Sequence, residues 1–117
     1  MRAPAPLARG DVVLMSFPFT DLPGARLRPA LLVSRPAGDD VIVAFVTSRT
    51  ESVDPRAAHL LAPADPEFRG TGLRVASLIR LNKLATLHRN GVRRRIGRIG
   101  SATEAAVARA LRQVLEK

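Results

Sequence analysis

Short apolar runs separated by turn-forming residues make up the first half of the chain. The runs at 12–17, 29–35 and 41–47 have the length of strands, and the last two are almost continuously apolar, as in strands that are covered on both faces. Residues 36–40 between them have turn composition, which predicts a hairpin of the second and third strands. Residues 59–61 predict a fourth, shorter strand.

Two adjoining segments, 73–78 and 79–87, predict further extended chain. In the second of them the apolar residues are spaced by three rather than two, which predicts a bend or bulge around residues 82–83. Asn90 and Gly91 form a strong hairpin signal that leads into a basic strand at 93–99. The pattern therefore predicts a second hairpin at this turn.

One amphipathic helix follows Gly100. Ser101 and Glu104 have the spacing of a capping box, in which Ser101 is the N-cap. Apolar residues then recur on one helical face, at Val107, Ala110, Leu111, Val114 and Leu115. Five or more short strands and a single C-terminal α-helix predict a mainly β fold, a small β-barrel that carries the helix.

Length and composition indicate one domain. A chain of 117 residues can bury a hydrophobic core without disulfides, and this one has no cysteine. Residues 1–9 predict a flexible N-terminal tail, and residues 10–117 predict the single domain. The tail lacks the apolar stretch of a secretory signal, and no apolar run reaches transmembrane length. We therefore expect a cytoplasmic protein with no membrane partner.

The charge of the chain is strongly positive and unevenly distributed. Of the 19 basic residues 17 are arginine, and the net charge is +9. Residues 1–58 hold seven arginines and six acids, whereas residues 59–117 hold ten arginines, two lysines and four acids. This asymmetry favours a polyanion or a strongly acidic protein as the partner. Four phenylalanines, with no Trp or Tyr, argue against a wide base-stacking platform.

Most signatures of catalytic and metal sites are absent from the sequence. It contains no GxxxxGK[ST] phosphate loop and no GxSxG motif, and its two histidines, His59 and His88, lack the spacing of metal ligands. The sequence thus predicts no metal site and no cofactor. An enzyme of this composition would have to work with arginine and hydroxyl groups.

Arg28 stands directly before Pro29 at the predicted entrance of the second strand. Pro29 restricts Arg28 to extended conformations, so the guanidinium is held on a stiff backbone. An isolated Arg-Pro pair is most often a solvated loop feature. Here, however, counting outward from a hairpin turn centred near residue 38 places Arg28 opposite Thr47 or Ser48.

Cleavage of RNA through its own 2′-OH suits an arginine beside hydroxyl groups. The substrate supplies the nucleophile, so the protein has to align the attack and stabilise the charge that develops on the phosphorane. A guanidinium can form two hydrogen bonds to that phosphate, and a Thr or Ser hydroxyl can orient one of its oxygens. Phe19, in the long connection before the second strand, is a candidate for the flank of such a cleft.

Six short motifs follow one another along the chain: 10–13 (GDVV), 17–21 (FPFTD), 28–34 (RPALLVS), 46–48 (VTS), 77–87 (SLIRLNKLATL) and 95–99 (RIGRI). Together they resemble the PemK/MazF family of toxin endoribonucleases from type II toxin–antitoxin systems, over about residues 9–115. The fifth and sixth motifs match the C-terminal half of the subgroup that carries a Phe-Pro-Phe motif, which stands here at residues 17–19.

This resemblance implies an SH3-like β-barrel of the CcdB/MazF-like kind, with a C-terminal α-helix, that forms a homodimer. It implies sequence-selective, metal-independent cleavage of single-stranded RNA, with no cofactor, by a cytoplasmic toxin. It also implies neutralisation by a cognate antitoxin with an acidic C-terminal segment, and contact with DNA only through that complex. Arg28 corresponds to the catalytic arginine, Thr47 to its partner hydroxyl, and Ser48 to a helper on the phosphate.

Three more residues are candidates for binding the substrate. Asp21 either holds its loop or orients the catalytic arginine, and Arg80 and Lys83 either contact RNA or form surface or dimer salt bridges. Asn82 and His88 stand where the subgroup often has aspartate, a departure that bears on RNA, dimer or antitoxin contacts rather than on the proposed catalytic pair.

Two alternatives remain for the sequence as a whole. The same barrel occurs in non-catalytic toxins that poison gyrase by binding it, and a barrel of this charge could also bind nucleic acid without cutting it. The role of the basic segment 93–98 also has two alternatives: it is either a solvated or antitoxin-facing strand, or a track that binds phosphates.

Overall fold

A six-stranded antiparallel sheet and one C-terminal helix form the fold, and this confirms the predicted mainly β class. The computed structural model describes residues 6–17, 27–51 and 54–116. The strands and the helix are β1 (Asp11–Ser16), β2 (Leu27–Leu32), β3 (Asp40–Thr47), β4 (Ala58–Leu61), β5 (Ser77–His88), β6 (Val92–Arg98) and α1 (Ser101–Leu115). Their order in the sheet is β4-β5-β3-β2-β1-β6.

The sheet curls because its connections require it. Strands β5 and β6 are joined by a single short turn, Arg89–Gly91, yet three strands lie between them in the sheet. The predicted hairpin at Asn90 and Gly91 is therefore wrong, since β6 pairs with β1 instead. At this turn the Nδ1 atom of His88 accepts a hydrogen bond from the backbone N–H of Asn90, at 3.0 Å. The turn thus carries the chain across the barrel mouth.

Alternating side chains of the central strands enter two separate cores. On β1 and β2, Val13 and Leu32 face the core enclosed by the curled sheet, whereas Val12 and Leu31 face the core beneath α1. Coverage of both faces, which the sequence predicted for β2 and β3, is confirmed for the end of β2 and for Val43 and Ala44 of β3, whereas Ile42 of β3 is exposed. The second core also receives Leu61 of β4, Phe68, Ile99 and Val107 of α1.

The hairpin of β2 and β3 is confirmed, with a shift in its bounds. Strand β2 begins at Leu27 rather than at Pro29, so Arg28 lies within the strand and pairs with Met15 of β1. The pairing of β2 with β3 begins only at Ala30, directly after Pro29, which has no N–H to donate.

A bulge interrupts β5 at the predicted place. Ala44 pairs with Leu84 and the next residue, Phe45, pairs with Arg80, so residues 81–83 have no partner on β3. The strand predicted over 73–78 is wrong for most of its length, because β5 begins only at Ser77.

The segment before β5 is a loop that packs across β6. Gly72 adopts a positive φ of 77°, and a Cβ atom there would collide with the carbonyl oxygen of Ile96. A Cβ atom at Gly97 would collide in the same way with the backbone of Gly70 and Thr71. Two glycines, one on each side, therefore allow the loop to lie directly against the strand.

The helix is capped by a residue distant in sequence, so the predicted capping box is wrong. Its N-cap is Gly100, with no side-chain cap from Ser101. The carboxylate of Glu67 accepts hydrogen bonds from the N–H groups of Ala102 (3.1 Å) and Thr103 (2.9 Å), and from the Thr103 hydroxyl at 2.6 Å. These bonds lower the pKa of Glu67, the Thr103 hydroxyl most of all.

Glu104, expected to complete the capping box, contacts the N-terminal segment instead. Its Oε2 atom lies 3.1 Å from the Nε atom of Arg9. Leu7 is buried in the core enclosed by the sheet, so the packed part of the chain includes residues that were expected to form a flexible tail. Residues 1–5 lie outside the described part of the chain.

A buried carboxylate ties β1 to β6. Asp11 is fully buried, and its side chain accepts hydrogen bonds from Arg98 at 2.9 Å and from the N–H of Ala8 at 2.8 Å. Arg95 lies 3.7 Å from the same carboxylate. Among the described residues, no helix is long and apolar enough to cross a membrane.

Candidate functional site

The hairpin brings Arg28 and Thr47 together. The pairs Ala30–Phe45 and Leu31–Ala44 set the register of β2 and β3, and the same register continued by two residues places Arg28 opposite Thr47. Both residues line two adjoining depressions, of about 460 and 260 Å³. Arg28, Val46 and Thr47 form the wall that these depressions share.

The Thr47 hydroxyl is oriented by the turn that follows β3. Its Oγ1 atom accepts a hydrogen bond from the backbone N–H of Arg49, at 3.1 Å. Within the described part of the chain this is the hydrogen bond that the hydroxyl makes, so its proton is left to donate to a ligand. Ser48 lies beside it on the larger depression and is exposed.

Four arginines line the larger depression, which we call the arginine groove. They are Arg28 of β2, Arg49 of the turn after β3, Arg74 of the loop before β5 and Arg94 of β6. Among the residues that the structure describes, no carboxylate lines the groove. Among the described residues none of these four arginines forms an ion pair, and this concentrates unneutralised positive charge at the site.

The smaller depression, which we call the aromatic pocket, lies on the other side of the wall. Phe17 and Phe45 form its base, with ring centroids 4.6 Å apart and an angle of 40° between the ring planes. The Nζ atom of Lys83 lies 5.3 Å from the centroid of the Phe45 ring, a cation–π contact. Arg80 lines the same pocket, and its Nε atom is buried without a hydrogen-bond partner among the described residues.

Five predicted site residues therefore lie around one wall: Arg28, Thr47, Ser48, Arg80 and Lys83. Phe19 and Asp21, the other two, lie outside the described residues. Reasoning from sequence missed Arg49, Arg74 and Phe45 as lining residues, and it did not single out Arg94 within the basic segment. The excess of positive charge in the second half was the signal for Arg74 and Arg94, but it does not distinguish a groove from a solvated face.

The histidines and Asn82 line neither depression. His59, on the edge strand β4, lines a separate hollow with Leu60 and Leu78. Burial lowers its pKa below the ordinary 6.5, and Asp65 and Glu67 partly oppose this shift. His88 lies at the turn before β6, 3.8 Å from Asp39, and Asn82 is exposed in the β5 bulge.

Comparison with solved structures finds the same fold in bacterial toxins. An endoribonuclease from a mycobacterial species, solved in complex with its cognate antitoxin, has a TM-score of 0.71 and 19% identity, over 95% of this chain and 96% of that one. The Mycobacterium tuberculosis toxin MazF-mt6 has a TM-score of 0.70 and 18% identity, over 91% and 96%. MazF from Deinococcus radiodurans has a TM-score of 0.68 and 22% identity, over 95% and 97%.

Sequence comparison identifies the family directly. No curated protein sequence matches the chain. The family of PemK-like, MazF-like toxins of type II toxin–antitoxin systems matches residues 8–115, which include both strands of the central hairpin, the basic strand β6 and helix α1. This chain therefore belongs to the PemK-like, MazF-like toxin family of type II toxin–antitoxin systems.

Proposed function

We propose that this toxin is a sequence-selective endoribonuclease that cleaves single-stranded RNA without a metal ion. The observation that carries the proposal is the convergence of Arg28 and the oriented Thr47 hydroxyl at a groove that no carboxylate of the described residues lines. The endoribonuclease in complex with its antitoxin, which has the same fold, supports the choice of reaction.

In the proposed mechanism the 2′-oxygen of the substrate attacks the adjacent phosphorus. The bond from phosphorus to the 5′-oxygen of the next nucleotide then breaks. The 2′-OH loses its proton, the leaving 5′-oxygen gains one, and the products are a 2′,3′-cyclic phosphate and a 5′-OH. Arg28 stabilises the added negative charge on the phosphorane with two parallel N–H···O bonds. Thr47 donates its hydroxyl proton to a non-bridging oxygen, and Ser48 acts on the same phosphate.

The remaining substrate contacts in this proposal come from the aromatic pocket and the loop before β2. Arg80 and Lys83 present cations at the pocket, and Phe45 and Phe17 give it an apolar base beneath Lys83. Phe19 and Asp21 are included in the proposed site because they belong to the family motif at residues 17–21. Assignment to the Phe-Pro-Phe subgroup is part of the same proposal.

The partners follow from the family. We propose that the toxin is a cytoplasmic homodimer and that a cognate antitoxin with an acidic C-terminal segment neutralises it. An acidic segment complements a groove lined by four arginines that form no ion pair within the described part of the chain. Contact with DNA would occur only through the complex with the antitoxin.

Cleavage of a mixed single-stranded RNA in the presence of EDTA tests the proposed activity. The expected products carry a 5′-OH at one end and a cyclic phosphate or 3′-phosphate at the other. Loss of cleavage in EDTA would contradict metal independence, and 5′-phosphate products would contradict attack by the 2′-OH. No cleavage by the purified toxin under any condition would leave a non-catalytic toxin of the same barrel as the better account.

A further inference from the structure

Three arginines of the groove have no part in the mechanism above. Arg49, Arg74 and Arg94 are exposed, and they approach the groove from three separate elements of the fold. Like charges brought together without a carboxylate repel one another, so such an arrangement favours binding of an anion. Among the described residues, the groove and the aromatic pocket share the wall that contains Arg28 and Thr47 and have different lining residues beyond it, so the groove extends from one side of that wall.

The arginines of strand β6 differ in what they contact. Arg95 and Arg98 pair with the buried carboxylate of Asp11. Arg94 lines the groove together with Ile96, whereas Arg93 is exposed and does not line it. The register with β1 shifts between Val12 and Val13 and between Leu14 and Met15, so that Ile96 and Arg93 have no partner on β1. The basic segment is therefore neither one continuous track nor one solvated face.

The groove wall is set by backbone packing before any ligand arrives. Gly72 and Gly97 hold the loop that carries Arg74 against β6, which carries Arg94. The backbone N–H of Arg49 is bonded to Thr47, and this ties the third arginine to the catalytic hydroxyl. A site preorganised in this way loses little conformational freedom when it binds.

We propose that Arg49, Arg74 and Arg94 bind the backbone phosphates of the nucleotides on one side of the scissile phosphate. The ligand is the sugar–phosphate backbone of single-stranded RNA, so the site adds affinity without reading bases. This assignment rests on the proposed endoribonuclease function, because Arg28 and Thr47 define the position of the scissile phosphate.

Binding of a 2′-O-methyl RNA, which has no nucleophile, tests the groove separately from cleavage. Affinity is measured by fluorescence anisotropy over a range of salt concentrations for wild type, Arg94→Ala and Arg93→Ala. Both variants remove one arginine from β6 at adjacent positions, so they change the net charge equally. We expect Arg94→Ala to weaken binding by about tenfold and to reduce the slope of log K against log salt by about 0.7, the value for one phosphate contact on a single strand.

Arg93→Ala should keep the wild-type salt slope, because Arg93 does not line the groove. The loss in Arg94→Ala should be the same for oligo-U and oligo-A, since phosphate contacts carry no sequence information. Equal slopes for the two variants, or a loss confined to one base composition, would overturn the proposal. Arg74→Ala, in the loop before β5, should reproduce the effect, and thermal melting confirms that each variant is folded.

Shortened substrates test the one-sided position of the groove. Nucleotides are removed from the 5′ side or from the 3′ side of the mapped cleavage site, and cleavage by wild type and Arg94→Ala is compared. Removal on one side should abolish the difference between the proteins, and removal on the other should preserve it. Equal effects on both sides would overturn the proposal. If wild type binds with the expected salt slopes but does not cleave, the endoribonuclease function fails and the groove remains a binding site for the nucleic-acid backbone.

Discussion

Two groups of arginines meet on β6: Arg95 and Arg98 form the first, and Arg94 belongs to the second, with the other arginines of the groove. Arg98 and Arg95 surround the fully buried carboxylate of Asp11 and join β6 to β1. Arg94 faces a groove in which the other charged side chains are also arginines. A buried carboxylate must be paired, so the first group is required by the fold. The second group has no such partner among the described residues and is available to a ligand.

Two carboxylates, those of Asp11 and Glu67, stabilise the fold and lie apart from the groove. Asp11 binds the N-terminal segment and β6, and Glu67 caps the helix at Ala102 and Thr103. Neither acid lines the groove or the aromatic pocket. The comparison predicts that changes at the acids reduce stability, whereas changes at the groove arginines reduce function and leave stability unchanged.

The largest expected effect is that of Arg28→Ala on cleavage. Loss of a charged donor that stabilises the phosphorane should lower the cleavage rate by about 100- to 1,000-fold. The melting temperature should remain close to that of wild type, because Arg28 is exposed and unpaired among the described residues. If the variant cuts RNA at the wild-type rate, Arg28 has no part in the mechanism. If it melts at a much lower temperature than wild type, Arg28 stabilises the fold and does not belong with the functional arginines.

Asp11→Ala should lower the free energy of unfolding by about 1–3 kcal/mol, because it leaves the N–H of Ala8 without its acceptor and breaks the contact with Arg98. Arg98 is half exposed, so its charge can return to water, and this limits the loss. Denaturant unfolding measures the change. Asp39→Ala, at an exposed acid, is the control and should change stability by less than about 0.5 kcal/mol. Equal stabilities would show that the buried carboxylate is not a structural requirement.

Thr47→Val removes the hydroxyl with little change in shape and should slow cleavage by about tenfold, the value of one hydrogen bond to a charged group. Thr47→Ser should recover most of the rate, because serine keeps the donor. Single-turnover rates on one defined RNA separate the chemical step from product release. If valine is as active as threonine, the hydroxyl does not contact the phosphate.

The smallest expected effect is the pH dependence of the helix cap. The pKa of Glu67 is lowered below its ordinary 4.5, so its charged form stabilises the folded state above that pH and the stabilisation is lost as the pH falls through and below it. Wild type should therefore be more stable than Glu67→Gln at pH 7, and the difference should shrink below pH 4.5. Because the charge of Glu67 also acts on the pKa of His59, both proteins carry His59→Gln in this comparison, and their difference then isolates Glu67. A difference that does not change with pH would contradict the charged cap.

Local patterns in the sequence determined much of the sheet and part of the site. The apolar runs predicted β1, the hairpin of β2 with β3 and the helix, and the spacing near residues 82–83 predicted the bulge in β5. Because a hairpin is a local structure, its register could be counted from the turn. This count placed Arg28 opposite Thr47 or Ser48, and the observed register, continued by two residues beyond Ala30, gives Thr47.

Contacts between residues distant in the chain were decided only by the tertiary structure. The pairing of β6 with β1, the cap from Glu67 and the convergence of Arg74 with Arg94 each join elements that no local pattern relates. Tertiary packing overrode two local preferences, for a hairpin at Asn90–Gly91 and for a capping box at Ser101. A turn or cap preference contributes a few tenths to about one kcal/mol, and burial of two hydrophobic cores contributes much more. The sequence alone thus predicted that Arg28 lies near the hydroxyl of Thr47 or Ser48. The tertiary structure decided which other arginines line the same groove.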